Sequence, residues 1–514
     1  MKKYSSLEYL KLTKLHRFFY KVGCFFASIP GFLQNLIITI GVFFKKIGLA
    51  IYNEFADIGR TFIKGDYKTR ISYFIMGFGS FTRKQYGRGL LFLLAEVAFI
   101  IYMIFPIGAS GSYWLSMLPS LGKVGPGWVE DEFGGWIMQY NDNSFQILLY
   151  GILTIFFIVA IIYTWRINVK QNRIAQEIIA SGKPIVSTKD DIRSLVDNEF
   201  HKTLLALPIT GILLFTVLPI IFMILVAFTN YSGAYNGYTN KLFSWQGFEN
   251  FNILFTWTNS GGSSFAATFG QVLGWTLMWA VFATFSNYFL GMLVAIIINK
   301  KGIKLKKWWR TVLVLTIAIP QFISLLYISK LFAYNGIVNG IIQNLGGSPI
   351  HFMDDNAEPW LARLCVILIN IWIGIPYLML IATGILMNIP EDLYESSRVD
   401  GANGWQQYMK ITLPYMLFVT GPYLLTSFTG NMNNFNVIFL LTGGCPTITN
   451  GPANAASVGS TDLLVTWLFK ISTTSGSKYY LASVMGILIF VITAVISVIV
   501  YNVIPSNKNE EDFQ

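Results

Sequence analysis

Apolar stretches of about 20 residues recur along most of this sequence and leave little room for any other fold. In lipid the backbone must satisfy its own hydrogen bonds, so runs of this length are expected to be helices. Their approximate bounds are 88–107, 145–165, 203–229, 271–299, 311–333, 360–388, 413–441 and 479–504. Only 12% of the residues are charged, about half the share of a soluble protein. The sequence therefore predicts an all-α polytopic membrane protein with about eight transmembrane helices.

Basic residues predict which side of the membrane each loop faces, because cytoplasmic loops carry an excess of Lys and Arg. Such residues crowd three loops, at 83–88, 166–202 and 300–310, whereas the loops at 130–142 and 354–358 are acidic. The alternation places all three basic loops in the cytoplasm together with both termini. We interpret the net charge of +11 as contact with anionic membrane lipid, not nucleic acid, because the basic residues adjoin apolar runs.

The first 85 residues are basic, and Phe, Leu and Ile alternate with Lys at helical spacing. This pattern favours amphipathic helices that lie on the cytoplasmic surface. The alternative is an additional span within the uncharged stretch 22–44, although Pro30 lies in its middle. We expect three regions: residues 1–85, two additional spans with a cytoplasmic loop over 86–205, and a core transmembrane domain over 206–514.

A polar segment, 389–414, separates the sixth and seventh apolar runs. Pro390 stands where a helix can begin without losing a hydrogen bond, and two acidic residues follow where the helix dipole favours them. Gly401 suits the left-handed conformation that ends many helices. A second amphipathic piece then runs to Pro414. The segment is predicted to form a helix–turn–helix on the cytoplasmic side.

Two apolar runs carry polar residues or glycines at helical spacing, which places them on one face of each helix. They are Asn370, Gly374 and Tyr377 in the sixth run, and Ser427, Gly430, Asn431 and Asn434 in the seventh. Amides within a membrane are costly unless they meet a partner or water. Their donors and acceptors match sugar hydroxyls, and a tyrosine ring can pack on a pyranose. Contacts between helices would explain the same pattern, so both interpretations stand at this point.

From Thr229 onward the sequence resembles the MalF-type permeases of maltose and maltodextrin ABC importers. The motifs that carry the resemblance are FTNYS, GFENF, WTLMWAVF, IPQFIS, NIWIGIPYLM, DLYESSRVDGA, KITLP, SFTGNMNNF and TDLLV. Residues 86–205 match by span count and loop arrangement, and residues 1–85 hardly match. The resemblance implies the type I ABC importer permease fold.

The resemblance also implies residue roles. An oligosaccharide would be bound by Gly374, Tyr377, Ser427, Asn431 and Asn434, together with Gly430. Asn370 is added to this set because it lies on the same helical face as Gly374 and Tyr377. The segment 389–414 corresponds to the EAA loop, which docks into a cytoplasmic ATPase. Its coupling residues would be Glu395, Ser396, Ser397, Asp400, Gly401, Ala402, Leu413 and Pro414. Two departures stand out: Gly430 replaces an aromatic residue, and the loop 230–270 is short where an enterobacterial relative has a large insert. A short loop fits a cell without a periplasm.

The implied partners are a second, MalG-type permease subunit, two copies of a cytoplasmic ABC ATPase, and an extracellular or lipid-anchored sugar-binding protein. The sequence contains no G-x-x-x-x-G-K-[ST] motif; the nearest fragment, Ser181–Pro184, lacks the upstream glycine and the hydroxyl residue. No catalytic triad or metal-ligand cluster is evident either. We therefore expect no enzymatic activity, cofactor or metal in this chain, with ATP and magnesium bound by the partner ATPase.

Three alternatives remain at this stage. One is an importer of the same type for another glycan, such as a galacto-, arabino- or raffinose-type oligosaccharide. A second is a proton-coupled sugar symporter, for which Glu96, well inside the first span, is the candidate carboxylate. A third is a membrane scaffold without transport activity. The EAA-like segment argues against the symporter, and the polar helical faces argue against the scaffold.

Overall fold

The computed structural model describes residues 38, 41–43, 45–105, 111–122, 127–130, 133–139, 142–233, 242–256, 265–300, 302–448, 458–473 and 478–503. The helices in chain order are α1 (45–64), α2 (Tyr67–Ile71), α3 (Phe78–Thr82), α4 (Tyr86–Ile104), α5 (Gly111–Met117), α6 (Ser144–Ala180), α7 (Thr188–Val196), α8 (Phe200–Val226), α9 (Glu249–Thr256), α10 (Phe265–Asn299), α11 (Lys306–Ala318), α12 (Gln321–Leu331), α13 (Ile337–Asn344), α14 (Pro359–Leu386), α15 (Glu391–Val399), α16 (Gly404–Met432), α17 (Phe435–Leu441), α18 (Leu464–Thr473) and α19 (Tyr479–Val503). A short antiparallel hairpin, β1 (Gly127–Glu130) and β2 (Trp136–Gln139), is the only sheet within these ranges.

Seven of the described helices are long and apolar enough to cross a membrane, and a bent pair raises the number to eight. The seven are α4, α6, α8, α10, α14, α16 and α19, and the bent pair is α11 with α12. The predicted fold class, an all-α polytopic membrane protein with about eight spans, is confirmed.

The fifth predicted span, 311–333, is not one straight helix. The chain bends by 91° between α11 and α12. Pro320 lies at this break, and its ring cannot continue the helical hydrogen-bond ladder. The prediction treated the apolar run as one continuous span and is wrong on this point.

The seventh predicted span, 413–441, is also different in the structure. Helix α16 begins at Gly404, runs through a π-helical turn at Tyr408–Thr412 and ends at Met432. The following residues form the separate short helix α17. The amphipathic piece before Pro414 is thus continuous with the span, because the π turn lets the helix pass this proline without a break.

The chain divides into two compact units, Met1–Ser116 with Tyr150–Leu213 and Met117–Leu149 with Leu214–Gln514. In the first unit, the side chain of Arg83 is fully buried. It donates hydrogen bonds to Oδ1 of Asp66 at 2.7 Å, to Oγ1 of Thr69 at 2.8 Å and to Oδ1 of Asn172 at 2.7 Å. These charge-assisted bonds join the turn between α1 and α2 to α6.

The non-helical segment between α2 and α3 is held by side chains from two spans. Nδ2 of Asn168 donates to the carbonyl of Ser72 at 2.8 Å, and Nε1 of Trp165 donates to the carbonyl of Tyr73 at 2.9 Å. Oε2 of Glu96 accepts the N–H of Met76 at 2.7 Å. Irregular backbone next to a membrane needs such partners. Glu96 therefore has a structural role in this turn.

Of the basic amino-terminal region 1–85, the structure describes residue 38, residues 41–43 and residues 45–85, where α1, α2 and α3 are helical. The alternative span at 22–44 lies almost wholly outside the described residues. The predicted boundaries at 85 and 205 stay predictions.

In the second unit, α10 is the central helix and packs against α14 and α16. Trp279 of α10 is completely buried, and its Nε1 donates to the carbonyl of Asn431 at 3.1 Å. Trp275, one turn earlier, donates from Nε1 to the carbonyl of Thr461 at 3.1 Å. Buried indoles of this kind contribute large apolar area while their N–H groups are satisfied. Trp279 fixes α10 against α16, and Trp275 fixes it against the loop before α18.

Candidate functional site

The backbones of α10 and α14 approach each other closely at two glycines. A Cβ at Gly374 would lie 2.4 Å from Nδ2 of Asn287, and a Cβ at Gly291 would lie 2.6 Å from Cβ of Leu378. Helices in membranes use small residues in this way to pack backbone against side chain. Gly374 is thus a packing position, whatever else it contacts.

Asn431 connects α16 to α10 through its side chain and its backbone. Its Nδ2 donates to Oγ1 of Thr284 at 3.0 Å, and its Oδ1 lies 3.4 Å from Nδ2 of Asn434. The carbonyl of Asn431 accepts the bond from Trp279. Asn434 in turn caps α17, with its Oδ1 accepting the N–H of Val437 at 3.3 Å. The two predicted asparagines therefore lie together at the end of α16.

Asn370 of α14 is 5% exposed, and its Nδ2 has no hydrogen-bond partner within the described residues. Oδ1 of Asn287 is also buried and unpaired there. Asn287 contacts Gly374, which lies one helical turn from Asn370. An unpaired buried amide costs about 1–3 kcal/mol. This part of the bundle therefore contains an amide donor and an amide acceptor that no described residue satisfies.

Tyr377 is 51% exposed and lies at the edge of a cavity of about 230 Å³. Thr316, Gln321 and Ser324 line this cavity from the bent pair α11–α12, and Trp372 lines it beside Tyr377 on α14. Ile317, Ile319, Pro320 and Ile373 complete the lining, so hydroxyls, an amide and two aromatic rings share the cavity with apolar side chains. That composition suits a ligand with both hydroxyl groups and apolar faces.

The two polar faces meet through aromatic rings. The ring of Tyr377 lies 6.4 Å from that of Tyr423 on α16, and the Tyr423 hydroxyl interacts with the side chain of Ser427. The predicted residues Tyr377 and Ser427 are thereby joined through Tyr423, which the sequence pattern did not single out.

Gly430 lies on a different side of α16. It lines a second, more open cavity of about 460 Å³ together with Thr426, Thr429 and Asn433. Phe490 and Thr493 of α19 line the same cavity. A Cβ at Gly430 would meet nothing within 4 Å, so the position has room for a large side chain. The structure does not bring Gly430 to the cavity that Tyr377 lines.

Sequence reasoning missed the polar residues of α10. Thr284, Asn287 and Gly291 recur at i, i+3 and i+7 and face α14 and α16. The same periodicity that revealed the faces of the sixth and seventh runs was present here. These small or polar residues are separated by large apolar residues, so the pattern was not recognised in the sequence.

The predicted helix–turn–helix is present as α15, a turn, and the start of α16. Gly401 has a φ of +79°, the left-handed conformation that was expected at this turn. The hydroxyls of Tyr394 and Thr412 lie 2.8 Å apart. Nε2 of Gln407 donates to the carbonyl of Tyr394 at 3.1 Å and to Oγ of Ser397 at 2.8 Å. These bonds tie α15 to the following helix.

The outer side of α15 is open. Glu395, Ser396 and Asp400 are exposed, and Val399 is 88% exposed. Ser397 and Ala402 lie on the side of α15 that is bonded to the following turn and helix, since the N–H of Ala402 donates to the carbonyl of Ser397 at 2.9 Å. Leu413 packs on the buried cluster around Met416, whereas Pro414 is exposed. Of the eight predicted coupling residues, Glu395, Ser396, Asp400, Gly401 and Pro414 are exposed, whereas Ser397, Ala402 and Leu413 are partly buried.

The chain is similar to known membrane-transport proteins. Residues 287–509 match the family described as "Binding-protein-dependent transport system inner membrane component". Over 441 residues the chain is 31% identical to the maltodextrin transport system permease protein MalC of Streptococcus pneumoniae (strain TIGR4), covering 84% of this chain and 95% of that protein. It is 32% identical over 439 residues to the galactooligosaccharides transport system permease protein GanP of Bacillus subtilis (strain 168), covering 85% of this chain and 97% of that protein.

A third relative matches over a shorter range. The maltose/maltodextrin transport system permease protein MalF of Vibrio cholerae is 36% identical over 235 residues, covering 45% of this chain and 44% of that protein. Among solved structures, a chain of a bacterial ABC transporter involved in alginate import is 22% identical and covers 62% of this chain and 99% of that chain. The TM-score of this similarity is 0.48.

Proposed function

Because the chain belongs to the family of binding-protein-dependent transport system inner membrane components, we propose that it carries an oligosaccharide, specifically a maltodextrin, across the cell membrane. It is a multi-pass permease subunit of a sugar ABC importer. As a permease it would form half of the transmembrane path, and the second, MalG-type subunit would form the other half.

The observation that carries the choice of cargo is the contact between two polar helical faces inside an apolar bundle. Tyr377 and Tyr423 bring the faces of α14 and α16 within ring contact, and Asn431 lies on the same helix as Tyr423. A sugar offers hydroxyls that both donate and accept, and its ring offers a flat apolar side. Amide side chains can form hydrogen bonds with the hydroxyls, and tyrosine rings can pack on the apolar side of the sugar ring. We assign Asn370, Gly374, Tyr377, Ser427, Asn431 and Asn434 to this path, with Gly430 at its second cavity.

Maltodextrin is proposed as the cargo because several relatives are named for maltodextrin transport. The second candidate is a galacto-oligosaccharide, since GanP is 32% identical to this chain over a similar length. Amide and hydroxyl side chains can serve either sugar. Galactose and glucose differ in configuration at C4 of the ring, so a direct competition between the two oligosaccharides is decisive.

The proposed energy source is a partner ATPase that binds ATP and magnesium and contacts α15. Glu395, Ser396 and Asp400 would meet the ATPase, and Gly401 would keep α15 folded against α16. Closure of two ATPase subunits on ATP would then move α15 and, through the bonds of Tyr394 and Gln407, the span α16. A ligand shifts such an equilibrium only by its differential affinity for the two states, which the sugar path would supply.

The remaining partners follow from the family. A sugar-binding protein, extracellular or lipid-anchored, would deliver the oligosaccharide to the outer loops. The basic loops would face the cytoplasm, together with both termini. No cofactor or metal is proposed for this chain itself.

The cargo can be tested in vesicles that contain the permease with its partners and labelled oligosaccharides. We expect ATP-dependent uptake of a maltodextrin that unlabelled maltodextrin competes and unlabelled galacto-oligosaccharide does not. The reverse order of competition would replace the maltodextrin by the second candidate.

Two tyrosine variants test the site itself. Tyr377→Ala should raise the KM for uptake about tenfold or more, because one ring contact and one hydroxyl are lost. Tyr327→Ala on α12 is the matched control, because Tyr327 is 64% exposed and does not line the cavity. Equal KM values for the two variants would remove Tyr377 from the path.

A further inference from the structure

Helix α1 uses its acidic residues to bind α6. Glu54 and Asp57 each accept a hydrogen bond from the guanidinium of Arg166 at 2.6 Å, and Asp57 also pairs with Arg173. Asp66, after the end of α1, pairs with the buried Arg83. These are the three acidic residues between positions 45 and 85. Every negative charge of this segment is therefore neutralised within the protein.

The basic residues of the same segment are not neutralised. Between positions 45 and 85 there are eight Lys and Arg residues, and within the described residues only Arg83 has an acidic partner. The seven others are Lys45, Lys46, Arg60, Lys64, Lys68, Arg70 and Lys84. The segment thus presents a positive charge outward, and no acidic residue of its own remains to compensate it.

Large apolar side chains stand among these basic residues and are open to the surroundings. Phe55 is 70% exposed and Ile63 is 72% exposed on α1. At the turn between α2 and α3, Phe74 is 76% exposed, while the next-but-one residue, Met76, is buried. A helix that faced only water would not leave such side chains uncovered while turning its acidic residues toward the protein.

We infer that the segment 45–84 is a membrane-surface anchor that binds anionic phospholipid. Phe55, Ile63 and Phe74 enter the boundary between headgroups and acyl chains, and Lys64, Lys68 and Lys84 contact the phosphates. This is the arrangement of an interfacial amphipathic helix, which binds through buried apolar area together with attraction to anionic lipid. The salt bridges to Arg166 and Arg173 fix the anchor to α6, so lipid binding acts directly on a membrane span.

Charge complementarity selects lipid over a protein partner as the occupant. The surface combines seven positive charges that have no acidic partner in the described part of the chain with exposed aromatic and aliphatic side chains, and it adjoins α4 and α6, which are membrane-crossing helices. An anionic bilayer supplies phosphates and an apolar phase in the same place. The inference is independent of which sugar the permease carries.

The test uses the full-length permease with its partner subunits, purified in detergent, and native mass spectrometry of bound phosphatidylglycerol. The variant is Lys64→Gln with Lys68→Gln and Lys84→Gln. Its matched control is Lys170→Gln with Lys183→Gln and Lys189→Gln, which removes the same charge from exposed positions of the same unit. We expect phosphatidylglycerol to bind the wild type and the control alike, and the variant about tenfold more weakly.

Two further arms identify the source of binding. Free glycerol phosphate should not displace phosphatidylglycerol, because the apolar contacts require acyl chains. In nanodiscs, amides of 45–64 in the wild type should exchange more slowly with phosphatidylglycerol than with phosphatidylcholine alone. This arm stands even where the charge variant fails to fold.

The inference is overturned by equal phosphatidylglycerol affinity of the variant and the control, or by hydrogen exchange that does not depend on lipid charge. Displacement by glycerol phosphate would also overturn it, in favour of a site for free phosphate. Protection of 45–64 by a co-purified protein in neutral lipid would replace the membrane by a protein partner.

Discussion

The side chain of Asn287 occupies the space that a side-chain carbon at Gly374 would need: a Cβ there would lie 2.4 Å from its Nδ2. Gly374 is part of the predicted sugar face of α14, and Asn287 belongs to α10, the central helix. The proposed path and the packing of the bundle therefore share one contact. Changes in this contact will alter stability and transport together, and they can be separated only with a compensating variant.

Gly374→Ala should destabilise the protein by about 1–3 kcal/mol, because an added methyl group must displace a buried amide. Thermal unfolding in detergent measures the loss. Gly384→Ala on the same helix is the control and should be neutral, since a Cβ at Gly384 meets nothing within 4 Å. Adding Asn287→Ala to Gly374→Ala should restore much of the lost Tm. A Tm for Gly374→Ala equal to that of Gly384→Ala would contradict the close approach.

Gly401→Val should uncouple ATP hydrolysis from transport. Gly401 has a φ of +79°, which a β-branched residue adopts only at a cost of roughly 1–2 kcal/mol. The turn would open and α15 would no longer be held against α16. Vesicles with this variant should hydrolyse ATP with little sugar uptake, whereas Gly404→Ala, at a position with open space and no positive φ, should transport normally.

Glu395→Lys should resemble Gly401→Val, because it reverses the charge on the exposed side of α15. Normal uptake by both would refute the coupling assignment.

Gly430→Phe should be well tolerated in the fold, because the position borders an open cavity of about 460 Å³. The new ring would reduce the space beside Phe490. We expect an unchanged Tm and a shift of uptake toward shorter oligosaccharides, measured with a labelled ladder of chain lengths. Ser497→Ala, in the same cavity, should leave the length preference unchanged. If Gly430→Phe takes up the same range of chain lengths as the wild type, the second cavity is not part of the sugar path.

The ion pairs of α1 predict a dependence on pH. Burial raises the pKa of the Asp57 carboxyl, but hydrogen bonds and charge from Arg166 and Arg173 outweigh it and lower the pKa below the usual value. A lowered pKa means that the stabilisation is fully present above the unfolded pKa of about 3.9, and is lost as the pH falls through the folded value. The protection factors of the amides of 45–64, which are corrected for the intrinsic pH dependence of exchange, should therefore fall only in acid below about pH 4.

Asp57→Asn should produce faster exchange of 45–64 already at neutral pH, with a loss of about 1 kcal/mol in local stability. Asp197→Asn, an exposed acidic residue of the same unit outside any ion pair within the described ranges, is the control. Equal exchange of the two variants would show that Asp57 does not hold α1 to α6.

The sequence predicted those features that depend on local periodicity. The number of spans, the helix–turn–helix and the left-handed Gly401 all follow from apolar run length and from the conformational preference of glycine. The break at Pro320 and the helix that passes Pro414 were misjudged, because a proline either ends a helix or is accommodated within it, as Pro376 and Pro422 also are. Local sequence does not distinguish these two outcomes; packing around the proline does.

The candidate site was predictable only in part, for a related reason. Periodicity places Ser427 and Asn431 on one helical face, but it does not say which neighbouring helix that face meets. Asn431 bonds to Thr284, while Gly430, one residue earlier, opens to a different cavity. Such assignments depend on contacts between residues that are distant in the sequence, and a single sequence carries no record of them.

Oligosaccharide uptake into vesicles that hold the permease and its partners shows whether a partner ATPase drives transport by this chain. Uptake is measured with ATP, without ATP, and with ATP in the presence of a protonophore. We predict uptake that requires ATP and is indifferent to the protonophore. Uptake that persists without ATP and collapses with the proton gradient would contradict an ATP-driven importer. It would give Glu96 a role in transport instead of the structural role that its bond to Met76 indicates.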